Sequence, residues 1–328
     1  MRILDSLSSQ KSQEDALTLL SSETTRKKSG YNADSRTMMR SVKQSIIRLS
    51  GASVQAVPDW FLPEYEVQRE EQHFALGSFG KVYHGTWYGQ KVVVKCVNAV
   101  IGDEMRAFKR EARLWFRAQH PNVVRLFGAF HVSQPCFFVC EEATNGILVD
   151  FLQKNKHDNQ ALVWRLLHGA ALGLQFLHEK KIVHGDLKCN QILVTEEKTA
   201  KLTDFGFSFA LMESKPTTST GAVRWKAPEL LRSESCSLTF ESDVYSFGMC
   251  VVEAVSGNVP WGTHLPNDSV IYNLTHGIFM SRPKAFVSDE NWDFVRALCA
   301  FEPSERPELP LAIQKLEQFA DAEANMNP

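Results

Sequence analysis

Apolar positions recur along this chain with two different periods, and the change of period divides it. The stretch KVYHGTW (81–87) alternates apolar and polar side chains, and KVVVKCV (91–97) is a short β-branched run. Both patterns predict strands. A third apolar run ends at Pro135 to Cys140. Between the second and third runs, GDEMRAFKREARLWFRAQHP predicts a helix. Glu104, Phe108, Glu111 and Trp115 share one face of it at steps of four, three and four. Asp103 supplies a start signal, and Pro121 stops continuation past His120. After Leu148 the period is helical, in LVWRLLHGAALGLQFLHEKK, SDVYSFGMCVVEAVSG and NWDFVRALCAF. A strand-rich part followed by a helix-rich part predicts an α+β fold of two lobes with unlike composition.

Residues 1–57 read differently. They are rich in Ser, Thr, Lys and Arg, and Tyr31 is their one aromatic. Met39, Val42, Ile46 and Leu49 fall at helical spacing, but a helix this short is marginal without a surface to pack on. The expectation is a mostly disordered leader with one conditional helix, then a folded domain over 58–320 and a tail over 321–328.

Composition narrows the function classes. With 36 Lys+Arg against 38 Asp+Glu in 328 residues, the formal net charge is −2, so no charge excess argues for nucleic acid or an anionic membrane. The longest apolar runs, such as Gly248 to Val255, fall far short of the roughly 20 residues of a membrane span. Asp5 and a string of serines interrupt the N-terminus before a secretory core can form. Seven cysteines, none in C-x-x-C spacing, read as buried free thiols in a reducing compartment, cytoplasm or nucleus.

Six local features carry chemistry. Ala75-Leu76-Gly77-Ser78-Phe79-Gly80-Lys81-Val82 is a glycine-rich turn between strands, where backbone can approach phosphates without side-chain obstruction. It is not a P-loop, because no Gly-Lys-Ser/Thr ending follows. Lys95 sits inside a β-branched run. Glu111 shares a helix face with Phe108 and Trp115, where a carboxylate needs a partner, and Lys95 is the candidate. His184-Gly185-Asp186-Leu187-Lys188-Cys189-Asn190-Gln191, Asp204-Phe205-Gly206 and Ala227-Pro228-Glu229 then follow in that order.

In this order the motifs resemble those of eukaryotic protein kinases over roughly Tyr65 to Phe319. RWKAPELL and SDVYSFGMCVVE are most similar to the tyrosine-kinase-like branch of the serine/threonine kinases, and WFLPEYEV resembles members of that branch associated with oomycetes. The resemblance implies a two-lobed kinase fold, with an N-lobe over about 65–143 and a C-lobe over about 144–320. It implies an enzyme that uses ATP and Mg2+, with Mn2+ as a supporting ion, and phosphorylates a protein hydroxyl.

The family's roles transfer position by position. Lys95, paired with Glu111, would hold the α/β-phosphates, and Leu76, Gly77, Ser78, Phe79, Gly80 and Val82 would cover the nucleotide. Glu141 and Ala143 would bind the adenine edge through their backbone, with Cys140 behind the base. Asp186 would accept the hydroxyl proton, with Lys188 near the transferring phosphoryl group; Asp204 and Gln191 would hold metal. Glu229 would pair with Arg306, and Asp243 would brace the catalytic loop.

The chain departs from the pattern at four positions. Ala75 replaces the first glycine; Gly185 replaces the arginine that commonly answers a phosphorylated activation loop; Ala222 stands where Ser/Thr kinases carry Thr. Gln191 replaces the metal-binding Asn, adding one methylene. That last change leaves two readings open: an active Ser/Thr kinase, favoured by Lys188 and the intact Lys95, Glu111, Asp186 and Asp204, and a nucleotide-binding scaffold with little turnover.

Overall fold

The β-type runs of the first half pair into one five-stranded antiparallel sheet. A computed structural model of the chain describes residues 9–25, 32–51, 56–77, 80–97, 102–155, 161–205, 223–232 and 237–326. It divides into two units, Met1–Phe116 with Leu126–Glu141, and Arg117–Arg125 with Glu142–Pro328. Residues 117–125 thus run with the second unit, although they lie inside the stretch that the sequence assigns to the first lobe.

In the first unit the strands are β1 (Val67–Gly77), β2 (Gly80–Trp87), β3 (Gln90–Val97), β4 (Leu126–Phe130) and β5 (Cys136–Glu141), in the order β1-β2-β3-β5-β4. Alternation sets the two faces of β3. Val92, Val94 and Cys96 turn into a core with Phe61, Leu62, Phe130, Phe137 and Val139, which places Lys95 on the opposite face. The edge at β4 is covered by the chain before β1. The Leu62 N–H donates to the Ala129 carbonyl at 3.0 Å, and the Ala129 N–H donates to the Trp60 carbonyl at 2.8 Å.

The leader differs from its expectation. Two helices form, α1 (Gln10–Thr25) and α2 (Ala33–Ser50). Asn32 caps α2 through its side chain, Gly51 ends it at φ 65°, and Leu17 and Ile46 are buried. Leu19 and Val57 pack against the sheet core, which supplies the surface an isolated helix lacks. The first helix escaped the sequence reading because its buried positions include Ser21, Ser22 and Glu23, so apolar period understates its packing. The predicted helix at 103 is present as α3 (Asp103–Arg117), with Phe108, Glu111, Ala112 and Trp115 on its buried face.

The second unit is helical: α4 (Leu148–Lys154), α5 (Ala161–Glu179), α6 (Glu229–Arg232), α7 (Phe240–Ser256), α8 (Asn267–Thr275), α9 (Asp289–Leu298) and α10 (Leu309–Met326), with a small ladder of β6 (Ile192–Val194) and β7 (Ala200–Leu202). Helix α7 is buried on nearly every side and forms the centre of this unit. A reciprocal Thr239–Ser242 capping box starts it. At Gly248 a β-carbon would lie 2.4 Å from Cys299 Sγ, so the glycine lets the Cys299 end of α9 approach the α7 backbone. The architecture is the α+β arrangement that the pattern predicts, with the sheet in one unit and the helices in the other. Among the described residues, no helix is long and apolar enough to cross a membrane.

Candidate active site

In the first unit, the strand pattern presents the phosphate-facing candidates. The β1–β2 hairpin closes with Gly77 opposite Gly80. Gly80 has φ 154°, and a β-carbon there would lie 2.1 Å from the Cys96 carbonyl oxygen, so this position excludes any side chain. Leu76 is exposed and Val82 half-buried, while Ser78 and Phe79 lie outside the described residues. Lys95 stands opposite Val82 on one neighbour strand and Phe138 on the other. Phe108 of α3 stacks on Phe138 at 4.4 Å between ring centroids, and the Lys95 ammonium is 5.5 Å from the Trp115 ring centroid. Glu111, 2 % exposed, lies on the helix face between those two aromatics. The sheet face and the helix face thus bring Lys95 and Glu111 into one neighbourhood. Cys140 is buried near the end of β5, paired with Val93 and Leu126, and Glu141 ends the strand opposite Val92.

In the second unit, the loop after α5 is organised by one buried carboxylate. Asp243, in the first turn of α7, accepts the backbone N–H of His184 at 2.7 Å and that of Gly185 at 2.8 Å. His178 Nε2 is a third contact, at 2.8 Å. These contacts offset the desolvation of a charge that is 1 % exposed. Gly185 holds φ 79°, a left-handed conformation that glycine adopts without steric penalty. His184 is fully buried, and burial pushes its pKa down, which keeps the ring neutral. Its Nε2 faces the Thr203 carbonyl at 3.1 Å, and since that oxygen only accepts, Nε2 carries the proton.

Three candidate residues then meet at one oxygen. Asp186 Oδ2 lies 2.9 Å from Lys188 Nζ, and Gln191 Nε2 donates to it at 3.3 Å. The Gln191 backbone ties this loop to the strand leading to Asp204. Its N–H donates to the Lys188 carbonyl at 2.9 Å, and its carbonyl accepts the Thr203 N–H at 3.0 Å. Asp204 has φ 59°, unusual for a residue with a side chain, and Phe205 beside it is buried. Ala143 is half-buried, and its carbonyl accepts the Gly146 N–H at 3.0 Å.

The donor set suits a hard divalent cation. Gln191 Oε1 is buried and accepts no hydrogen bond from the described residues, an oxygen for which a cation is a suitable partner. No group of three or more His, Cys, Asp or Glu is placed to hold a metal among the described residues. A few protein oxygens, completed by phosphate and water, are the usual surroundings of Mg2+.

Sequence reasoning missed the structural role of two residues of the second unit, Arg224 and Glu253. Arg224 donates to the carbonyls of Pro260 at 3.3 Å, Gly262 at 2.6 Å and Leu265 at 2.6 Å. Glu253 accepts from Trp225 Nε1 at 2.9 Å, and burial raises its pKa. A lone carboxylate in the apolar run MCVVEAV was the available signal for Glu253; Arg224 had none, since its partners are backbone. The expected Glu229–Arg306 pair is bidentate, both bonds at 2.7 Å. The hydroxyl residues between Asp204 and Glu229, namely Ser208, Ser214, Thr217, Thr218, Ser219 and Thr220, lie outside the described residues, as do Gly206 and Ala222.

Comparison with known proteins identifies a family. The model of the family "Protein tyrosine and serine/threonine kinase" matches residues 68–316. The chain is 32 % identical over 267 residues to the tyrosine-protein kinase transforming protein Fps of avian sarcoma virus (strain PRCII), covering 78 % of this chain and 49 % of that protein. It is 29 % identical over 254 residues to the serine/threonine-protein kinase STY17 of Arabidopsis thaliana, covering 76 % of this chain and 44 % of that one. The chain therefore matches less than half the length of each of these relatives.

Proposed function

The chain belongs to the protein tyrosine and serine/threonine kinase family, and we propose that within it the chain is an ATP-dependent serine/threonine kinase supported by Mg2+. The observation that carries this reading is the convergence of Lys188 and Gln191 on Asp186 Oδ2. Phosphoryl transfer requires positioning and charge neutralisation more than covalent chemistry. Asp186 accepts the proton of the attacking hydroxyl. Lys188, within ion-pair distance of it, neutralises charge that develops on the transferring group. Asp243 fixes the loop through two backbone N–H bonds, so that Asp186 needs little reorganisation when the substrate arrives.

Lys95, on the sheet face beside Trp115 and the Glu111 side of α3, would hold the α/β-phosphates, and the Gly77–Gly80 hairpin would cover them. By the family's pattern Leu76 and Val82 would cover the base, and backbone groups of Glu141 and Ala143 would bind its edge. Asp204 and Gln191 Oε1 would hold the divalent ion, which would supply charge neutralisation for the transfer.

Lys188 is what favours Ser/Thr over Tyr, since the relatives include kinases described with either specificity. Phosphoamino-acid analysis of a generic basic protein incubated with the chain and labelled ATP tests this. Phosphoserine and phosphothreonine are expected, and predominant phosphotyrosine would overturn the specificity. Gln191 is the observation favouring the second reading, a nucleotide-binding scaffold. In that case ATP binds and no labelled residue is recovered.

A further inference from the structure

The leader meets the sheet through an uneven surface. Leu19 of α1 packs on the sheet core and Leu17 is buried, but the next turn of the helix buries Ser21, Ser22 and Glu23. A helix held partly by polar residues depends on its polar contacts more than an apolar one does. The Glu23 carboxylate is 8 % exposed, and it accepts a hydrogen bond from the Tyr65 hydroxyl. Tyr65 itself is 60 % exposed, in the single turn Glu64–Glu66 just ahead of β1. Its hydroxyl is thus tied to the leader while much of the residue stays accessible to a second enzyme.

From this juxtaposition we propose that Tyr65 is a phosphorylation site whose modification releases the α1–α2 leader from the sheet. In the reaction the Tyr65 oxygen attacks the γ-phosphorus of ATP. An oxygen–phosphorus bond forms, the bond to the β,γ-bridging oxygen breaks, ADP leaves, and the phenolic proton passes through the modifying enzyme's base to water. The product lacks the proton that Glu23 accepts. It carries about −1.5 to −2 charges at neutral pH instead, facing a buried carboxylate and flanked by Glu64 and Glu66. Arg69, the nearby cation in sequence, is engaged with Cys96 Sγ at 3.0 Å and over the Tyr83 ring. Like-charge repulsion at a desolvated contact then favours separation of the helix.

The test uses the full chain with ATP and an added broad-specificity tyrosine kinase, so it is independent of the chain's own catalytic reading. Mass spectrometry locates the phosphate, and hydrogen–deuterium exchange follows residues 10–25 and 33–50. Phosphate on Tyr65 is expected, with leader exchange at least about tenfold faster and β2–β3 unchanged; tenfold corresponds to about 1.4 kcal/mol. In Glu23→Gln, whose amide oxygen still accepts from the unmodified tyrosine, phosphorylation should accelerate exchange several-fold less. Tyr65→Phe should show no ATP-dependent change. Failure to modify Tyr65 in the folded chain, while the denatured chain is modified, would overturn the proposal. So would modification with leader exchange unchanged or slower.

Discussion

At Gln191 one methylene separates the side chain from the Asn of the family pattern. Its amide nitrogen reaches Asp186, and its oxygen is buried without a donor among the described residues. Near-ideal Mg2+ coordination at about 2.0–2.1 Å tolerates little displacement of a ligand oxygen. Gln191→Asn is therefore expected to raise turnover with Mg2+ several-fold and to lower the Mg2+ concentration for half-maximal rate, with ATP affinity nearly unchanged. Manganese, with its larger radius, should help the wild type more than the variant. A metal titration of initial rates checks both, and identical curves would make the substitution neutral. His131 gives a second residue-scale prediction. It is buried beside Trp60 and Phe61, at 5.1 and 5.5 Å between ring centroids. Burial, helped by the Lys109 charge, lowers its pKa to about 3 from 6.5. The unfolded chain takes up this proton below about pH 6.5 and the folded chain does not. The contribution is therefore intact above pH 6.5 and is lost as pH falls toward 3, by about 1.4 kcal/mol per unit. From pH 6.5 to 5, denaturant unfolding should show the wild type losing about 2 kcal/mol more than His131→Phe.

Elements were legible where one signal dominated. Strands β2 and β3 announced themselves by alternation and β-branching, and α3 by a face whose carboxylate stood out among aromatics. Strand β4, LFGAF, escaped because a glycine interrupts a run of five residues, and that glycine is packed under Leu62 and Trp60. Helix α1 escaped because polar Ser21, Ser22 and Glu23 share its buried positions with Leu17. The loop geometry around Arg224 was not legible at all, since its three partners are carbonyls 36 to 41 residues away. That geometry sharpens an expectation about the segment between Asp204 and Glu229. Gly185 lacks the guanidinium that would read a phosphate there, and Arg224 is already bonded to three carbonyls. Replacing Thr217, Thr218, Ser219 and Thr220 together with Ala should leave basal transfer within a few-fold. A fall of two orders of magnitude, measured as initial rate on the same substrate, would mean that another cation reads a phosphate in this segment.

At the scale of the molecule, the residues themselves singled out the candidate chemistry, while the brace at Asp243 and the Glu229–Arg306 pair came from the family resemblance alone. Lys95, Glu111, Asp186, Lys188 and Asp204 stand out because a charged residue in an apolar or loop context needs a reason, and their order is specific. The supports are long-range contacts such as Asp243 to the His184 and Gly185 amides, 59 and 58 residues apart, which no local pattern encodes. The account's central claim is that Asp186 is the proton acceptor of an active phosphotransfer centre. The most direct measurement compares initial rates of γ-phosphoryl transfer by wild type and Asp186→Asn, with nucleotide binding and thermal stability followed on the same preparations. Loss of a general base costs about 10²–10⁴-fold in rate. The account predicts a fall in that range with ATP still bound and the fold intact. A wild-type rate no higher than that of Asp186→Asn would contradict it and make the chain a nucleotide-binding scaffold.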